Sequence, residues 1–179
     1  METKRKVEVV CHQSEWKQQF DHEANILREV FGNLISDIHH IGSTAIPGIK
    51  AKPIIDMLIE VKEIDEVDHF NDKLYQLGYI SKGENGIVNR RFFIKGDEFN
   101  RTHHVHIFQT GNKEIDRHIR FRDYLIKHPD EAEFYSNLKE ELAKKYPYDI
   151  EEYIKGKDQF IKVIDQKAAK EYGDEEEER

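Results

Sequence analysis

The sequence is poor in cysteine: Cys11 is the only one in 179 residues. An intrachain disulfide is thereby excluded, and so is a thiolate metal cluster; a reducing, cytoplasmic setting is expected. Long apolar runs are missing as well. Hydrophobic residues make up 37% of the chain, no stretch predicts a membrane span, and the polar opening 1–6 is followed by no apolar segment, so no signal peptide is expected. A surplus of positive charge is also absent. The net charge is −8, and residues 174–179 contribute five acids and one base to it. The rest is nearly balanced and exerts no general pull on nucleic acid, and no DNA or RNA recognition motif is present.

Charged residues are abundant at 36%, as expected for long helices with solvated outer faces. The length fits a single domain, 1–173, followed by an acidic, disordered tail, 174–179. Ser14 is placed to cap a helix whose apolar positions Trp16, Phe20, Ala24, Leu27 and Phe31 fall on one face, with Gly32 as its stop. Residues 34–41 read as a strand. Residues 54–61 are almost wholly apolar and predict a central strand covered on both faces. A helix is expected over Ile64, Val67, Phe70, Leu74 and Leu77, then an antiparallel pair at 87–95 and 102–109. From Asn112 onward the pattern is helical only. Strands first and helices last predict an α+β fold: a mixed sheet flanked by helices, with a helical C-terminal part.

The segment that carries chemistry is His40-Ile41-Gly42-Ser43, then twelve intervening residues, then Asp56 on the next strand. A glycine at a strand end lets backbone approach a ligand, and the Ser43 hydroxyl with its neighbouring amides can donate to phosphate oxygens. Asp56 beside that loop can hold a divalent ion that bridges phosphates. The plain alternative is a common turn beside a structural aspartate.

The stretch HIGSTAIPGIKAKPIIDMLIEV resembles the GrpB family, as do RTHHVHIF at 101–108, FRDYLIKHP at 121–129 and YIKGKDQFI at 153–161. The resemblance runs from about Val9 to Ile164. It implies a nucleotidyltransferase-like fold, Gly42 and Ser43 as phosphate contacts, and Asp56 as the catalytic carboxylate. The chain departs from the superfamily pattern in one respect. A second carboxylate belongs two residues after the first, and that position is Leu58. Glu60 lies on the same strand face, but at roughly 13 Å from Asp56 it cannot share an ion with it.

His104 and His106 are candidates to complete the site. Period-two alternation turns both imidazoles to one side, where an Asp56/His104/His106 metal set is one possibility and hydrogen bonding within the sheet or to phosphate is the other. Lys52, Arg91, Arg122 and Lys157 are candidate phosphate contacts, arginine being suited to bidentate anion binding. The tyrosines at helical spacing, Tyr135 and Tyr153, read as core. The expected activity is metal-dependent (Mg, Mn or Zn) nucleotidyl transfer from a nucleoside triphosphate. Two other readings stand beside it: a non-catalytic nucleotide- or coenzyme-binding module that has lost the second carboxylate, and a metal-dependent hydrolase. In each, the partner is a small phosphorylated ligand.

Overall fold

The computed structural model describes residues 5–97 and 99–177, with side chains through Gly173. The expectation of a disordered acidic tail falls on residues 174–179, whose side chains lie outside the described residues. Helix α1 (Glu15–Phe31) comes first. Strands β1 (Ile35–Ile41) and β2 (Ile55–Val61) follow, then α2 (Asn71–Gln76) and β3 (Tyr79–Ser81). Strands β4 (Arg90–Gly96) and β5 (Arg101–Gln109) lead into α3 (Lys113–Lys127), α4 (Pro129–Lys145) and α5 (Ile150–Glu177). The sheet order is β1-β2-β5-β4-β3. Strands β2 and β5 run parallel, and the other neighbours are antiparallel. The mixed sheet, its flanking helices and the helical C-terminal part agree with the pattern of the sequence.

Strand β2 is central because nearly every side chain on it is apolar. Met57, Leu58, Ile59 and Val61 are 0% exposed, and burial of each contributes about 1.5–3 kcal/mol. Its odd-numbered residues face α1, where Met57, Ile59 and Val61 join Trp16, Leu27, Phe31, Val105 and Ile107 in the main core. Leu58 faces the other way and packs with Ile41, Phe108 and Ile115, the last being on α3. A third cluster ties the C-terminal helices together through Tyr124, Leu125, Tyr135 and Ile164, with Ile46 and Ile49 from the loop after β1. The sheet thus has an α1 face and an α3 face.

Two local expectations are corrected, and one strand lies outside them. Ser14 occupies the position before α1, but its side chain makes no capping bond; its own backbone is already helical, which turns the hydroxyl toward Glu15. The helix expected over 64–77 is a 3-10 turn at Ile64–Phe70 that relaxes into the short α2. Strand β3 has only three residues, too few for alternation to show. Gly32 does end α1, with φ 55° and its N–H on the Arg28 carbonyl.

Candidate functional site

The site lies where β1 leaves the sheet. Gly42 adopts φ 72° and ψ −171°, a conformation close to glycine-only. A tight turn over Ser43–Ala45 follows, with the Ala45 N–H on the Gly42 carbonyl at 3.1 Å. The loop lies directly against β2: a Cβ at Gly42 would stand 2.7 Å from Asp56 Oδ2. His40 Nε2 meets Thr44 Oγ1 at 2.8 Å and helps to hold the turn.

Parallel pairing sets Asp56 opposite His104, and Leu58 opposite His106. His104 Nδ1 and His106 Nε2 each lie 3.5 Å from the same oxygen, Asp56 Oδ1. An arginine stands behind each ring: Arg101 is 3.4 Å from His104 Nε2, and Arg90 is 3.3 Å from His106 Nδ1. Guanidinium groups only donate, so the ring nitrogens facing them accept, and the nitrogens facing Asp56 carry the protons. Burial alone would raise the Asp56 carboxyl; the hydrogen bonds from His104 and His106, with their electrostatic attraction, outweigh it and hold the group well below the usual carboxylate range. Both described contacts fall on Oδ1, which leaves Oδ2 turned toward the Gly42 loop.

A cleft of about 350 Å³ opens over Asp56, and helices α3 to α5 form its far wall. Gly42, Ser43, Lys52, Asp56, His104, His106 and Lys157 all line it, so most of the expected contacts are brought together. Arg91 and Arg122 are not among the lining residues. Arg91 sits on the α1 face, because alternation along β4 gives Arg90 and Phe92 to the cleft side, and Asp68 and Asp65 hold its guanidinium. Arg122 donates to the His40 carbonyl at 2.9 Å and to Asp123; it pins the loop from behind. Glu60 is turned to His39 at 2.6 Å. Three His or carboxylate ligand atoms lie within 4.8 Å of one another only at Asp37, His39 and Glu60 among the described residues, away from the cleft.

Several lining residues escaped the sequence reading. Lys139 on α4 is 2% exposed, and its ammonium donates to the Lys50 carbonyl. Tyr135 and Tyr153 are buried as expected, yet both border the cleft. The Tyr135 hydroxyl is hydrogen-bonded with Ser43, and burial pushes it up to about 12. The Tyr153 hydroxyl has no hydrogen-bond partner among the described residues. Arg117 and His118 on α3 complete the lining; Glu114 at 2.7 Å and Asp165 at 3.2 Å take up the Arg117 charge, and burial beside His106 holds His118 down to about 3. The available signal was a lysine inside an apolar stripe. Tyr135, Lys139 and Leu142 on α4, and Tyr153, Lys157 and Phe160 on α5, share i, i+4, i+7 spacing.

Burial, reinforced by neighbouring cations, lowers Lys52 and Lys139 to about 7. Burial lowers Lys157 to about 8. These shifts carry a sign for stability. Between these values and the ordinary lysine range, the unfolded chain binds protons that the folded chain does not, so stability rises with pH across that window. Below it the ammoniums are charged in both states and the cost of burying them is borne in full. The urea midpoint of the ligand-free protein is expected to increase between about pH 6.5 and about pH 9. A flat or falling midpoint would mean that the three ammoniums are solvated.

Sheet, loop and helical wall together define the class. The family model described as GrpB protein matches residues 6–167, and the chain belongs to that family. It is 51% identical over 165 residues to the UPF0157 protein YqkA of Bacillus subtilis, covering 92% of this chain and 48% of that protein. The chain therefore spans about half the length of this relative. It is 38% identical over 165 residues to the glutamate-rich protein GrpB of Alkalihalophilus pseudofirmus, covering 90% of this chain and 95% of that one. The crystal structure of the conserved protein GrpB from Enterococcus faecalis has the same fold, with a TM-score of 0.89 and 43% identity, covering 92% of this chain and 99% of that one.

Proposed function

We propose that the cleft binds a phosphorylated ligand of the nucleotide type, a nucleoside triphosphate or a nucleotide-containing coenzyme. The observation that carries this reading is the charge balance around Asp56. Lys52, Lys139 and Lys157 border a cleft in which one carboxylate, Asp56, is the sole acid among the lining residues. Buried like charges without counter-charges are costly, and a phosphorylated ligand supplies what is missing. The Gly42–Ser43 turn offers close backbone approach on the same wall.

A second reading, nucleotidyl transfer, is favoured by the placement of Asp56 Oδ2 beside that turn. There it could hold one divalent ion, which would supply Lewis-acid stabilisation of the phosphates. The protein's own part would be to fix the phosphate chain against the turn and the lysines. A two-ion cluster does not fit, since Leu58 occupies the second carboxylate position and is 0% exposed.

Calorimetric titration with ATP, GTP, CTP and UTP in Mg²⁺ or Mn²⁺ buffer tests the binding reading. At least one nucleotide is expected to bind, and Lys157→Met is expected to weaken it by roughly tenfold or more, the loss of one charge-assisted contact. If no nucleotide binds, the reading falls. For transfer, Asp56→Ala must abolish turnover in a folded protein; turnover that survives the substitution would remove Asp56 from the chemistry.

A further inference from the structure

We propose that the cleft holds a polyphosphate group directly on Lys52, Lys139 and Lys157, with no bridging divalent cation. This inference rests on the reading of the cleft as a phosphate site and names how the phosphates are held.

Three independent observations converge on it. The first is a contrast with three other partly buried cations. Lys50 is paired with Glu140, Lys95 with Glu23 at 2.7 Å, and Arg91 with Asp68 at 2.8 Å. Lys52, Lys139 and Lys157 have no carboxylate within 4.0 Å among the described residues. Lys52 and Lys157 instead stand 5.2 and 4.6 Å from the centre of the Tyr153 ring, and Lys139 stands 4.5 Å from that of Tyr135. An aromatic face attracts an ammonium weakly compared with a carboxylate, so three cations are kept with room for a stronger partner.

The second observation is the Tyr153 hydroxyl. Tyr153 is 0% exposed and lines the cleft, and its hydroxyl lacks any hydrogen-bond partner among the described residues. An unpaired buried hydroxyl costs free energy; it belongs to the ring that two of the ammoniums face, so a donor without a partner lies in the wall where they would hold an anion.

The third is the state of the carboxylate. A divalent ion that bridges phosphates needs carboxylate oxygens and open coordination. Asp56 already takes His104 and His106 on Oδ1. Leu58 fills the place of the second acid, and Glu60 is engaged by His39. The positive charge that neutralises phosphates in this cleft comes from lysine.

The test uses the full chain and inorganic probes. Tripolyphosphate, pyrophosphate and orthophosphate are titrated calorimetrically in EDTA, and ATP is titrated in EDTA and in Mg²⁺. The expected result is binding of tripolyphosphate in EDTA, tighter than orthophosphate, with ATP also binding in EDTA. Lys157→Met should weaken tripolyphosphate by roughly tenfold or more. Tyr153→Phe should weaken it by about threefold or more while leaving the melting temperature unchanged or higher, since an unpaired hydroxyl is removed. Asp56→Asn is the deciding variant. With lysine alone holding the phosphates it deletes a repelling charge and leaves tripolyphosphate affinity unchanged or increased; with an ion on Asp56 it abolishes binding. ATP binding seen only with Mg²⁺ and lost in Asp56→Asn would overturn this inference while leaving the nucleotide reading intact. Absence of binding by every probe in both buffers would overturn both.

Discussion

Replacing Gly42 by alanine is expected to lower the melting temperature by roughly 10 °C and to abolish ligand binding. Two costs add. The backbone at φ 72°, ψ −171° is one that an L side chain adopts at about 1–3 kcal/mol. The new methyl would stand 2.7 Å from Asp56 Oδ2, 3.1 Å from its Cβ and 3.2 Å from its Cγ, an overpacking cost of about 1–3 kcal/mol. Neither can be relieved cheaply, because Asp56 is on a central strand and both histidines hold its carboxylate. At about 2–4 °C per kcal/mol for a chain of this size, the sum gives the stated shift. Gly48→Ala is the control. Gly48 also has positive φ, 80°, but a Cβ there meets nothing within 4 Å, so it bears the strain alone. Calorimetric melts of the two variants separate strain from contact. Equal melting temperatures for both would show that the loop does not press on Asp56.

Leu58→Asp restores the acid of the superfamily pattern and is expected to prevent folding, with no gain of activity. Leu58 is 0% exposed among Ile41, Phe108 and Ile115. Removing such a leucine costs about 2–5 kcal/mol, and burying a carboxylate there costs several more. The total is comparable with the whole stability of an ordinary domain, about 5–15 kcal/mol. The register places His39 and His106 on either side of position 58, but Glu60 engages the first and Asp56 and Arg90 engage the second. Leu58→Ala should fold with a melting temperature lowered by roughly 5–15 °C. A soluble Leu58→Asp that melts with the wild type would show that the position has a partner for charge.

The floor of the cleft was legible in the sequence, and its far wall was not. Asp56, His104 and His106 follow from two strands and strict alternation, a rule that needs only the pairing of β2 with β5. Arg91 was misplaced because alternation fixes only relative faces along a strand. It put Arg91 opposite Arg90 but could not say which of the two faced the cleft. Arg122 misled for a different reason: it lies in a stretch resembling the family, but its task is to bond the His40 carbonyl. Lys139 and Tyr153 depend on how α4 and α5 dock, which no local period specifies. A lysine inside an apolar stripe was visible as an anomaly, but only the packed helices show that it borders a cleft and not solvent.

The division of the cleft between the two halves of the chain has a consequence for the order in which it comes into being. Strands β1 to β5 are complete at Gln109, whereas Lys139, Tyr153 and Lys157 come later. During synthesis the sheet can pair before the residues of its far wall have emerged. Asp56 would then lie on an open face in water, with Lys52 the one of the three lysines already made. A ligand that requires the lysines can contribute nothing to the early steps. Its whole stabilisation, set by mass action, falls on the docking of α4 and α5, so the bound state holds most firmly the part of the protein that is made last.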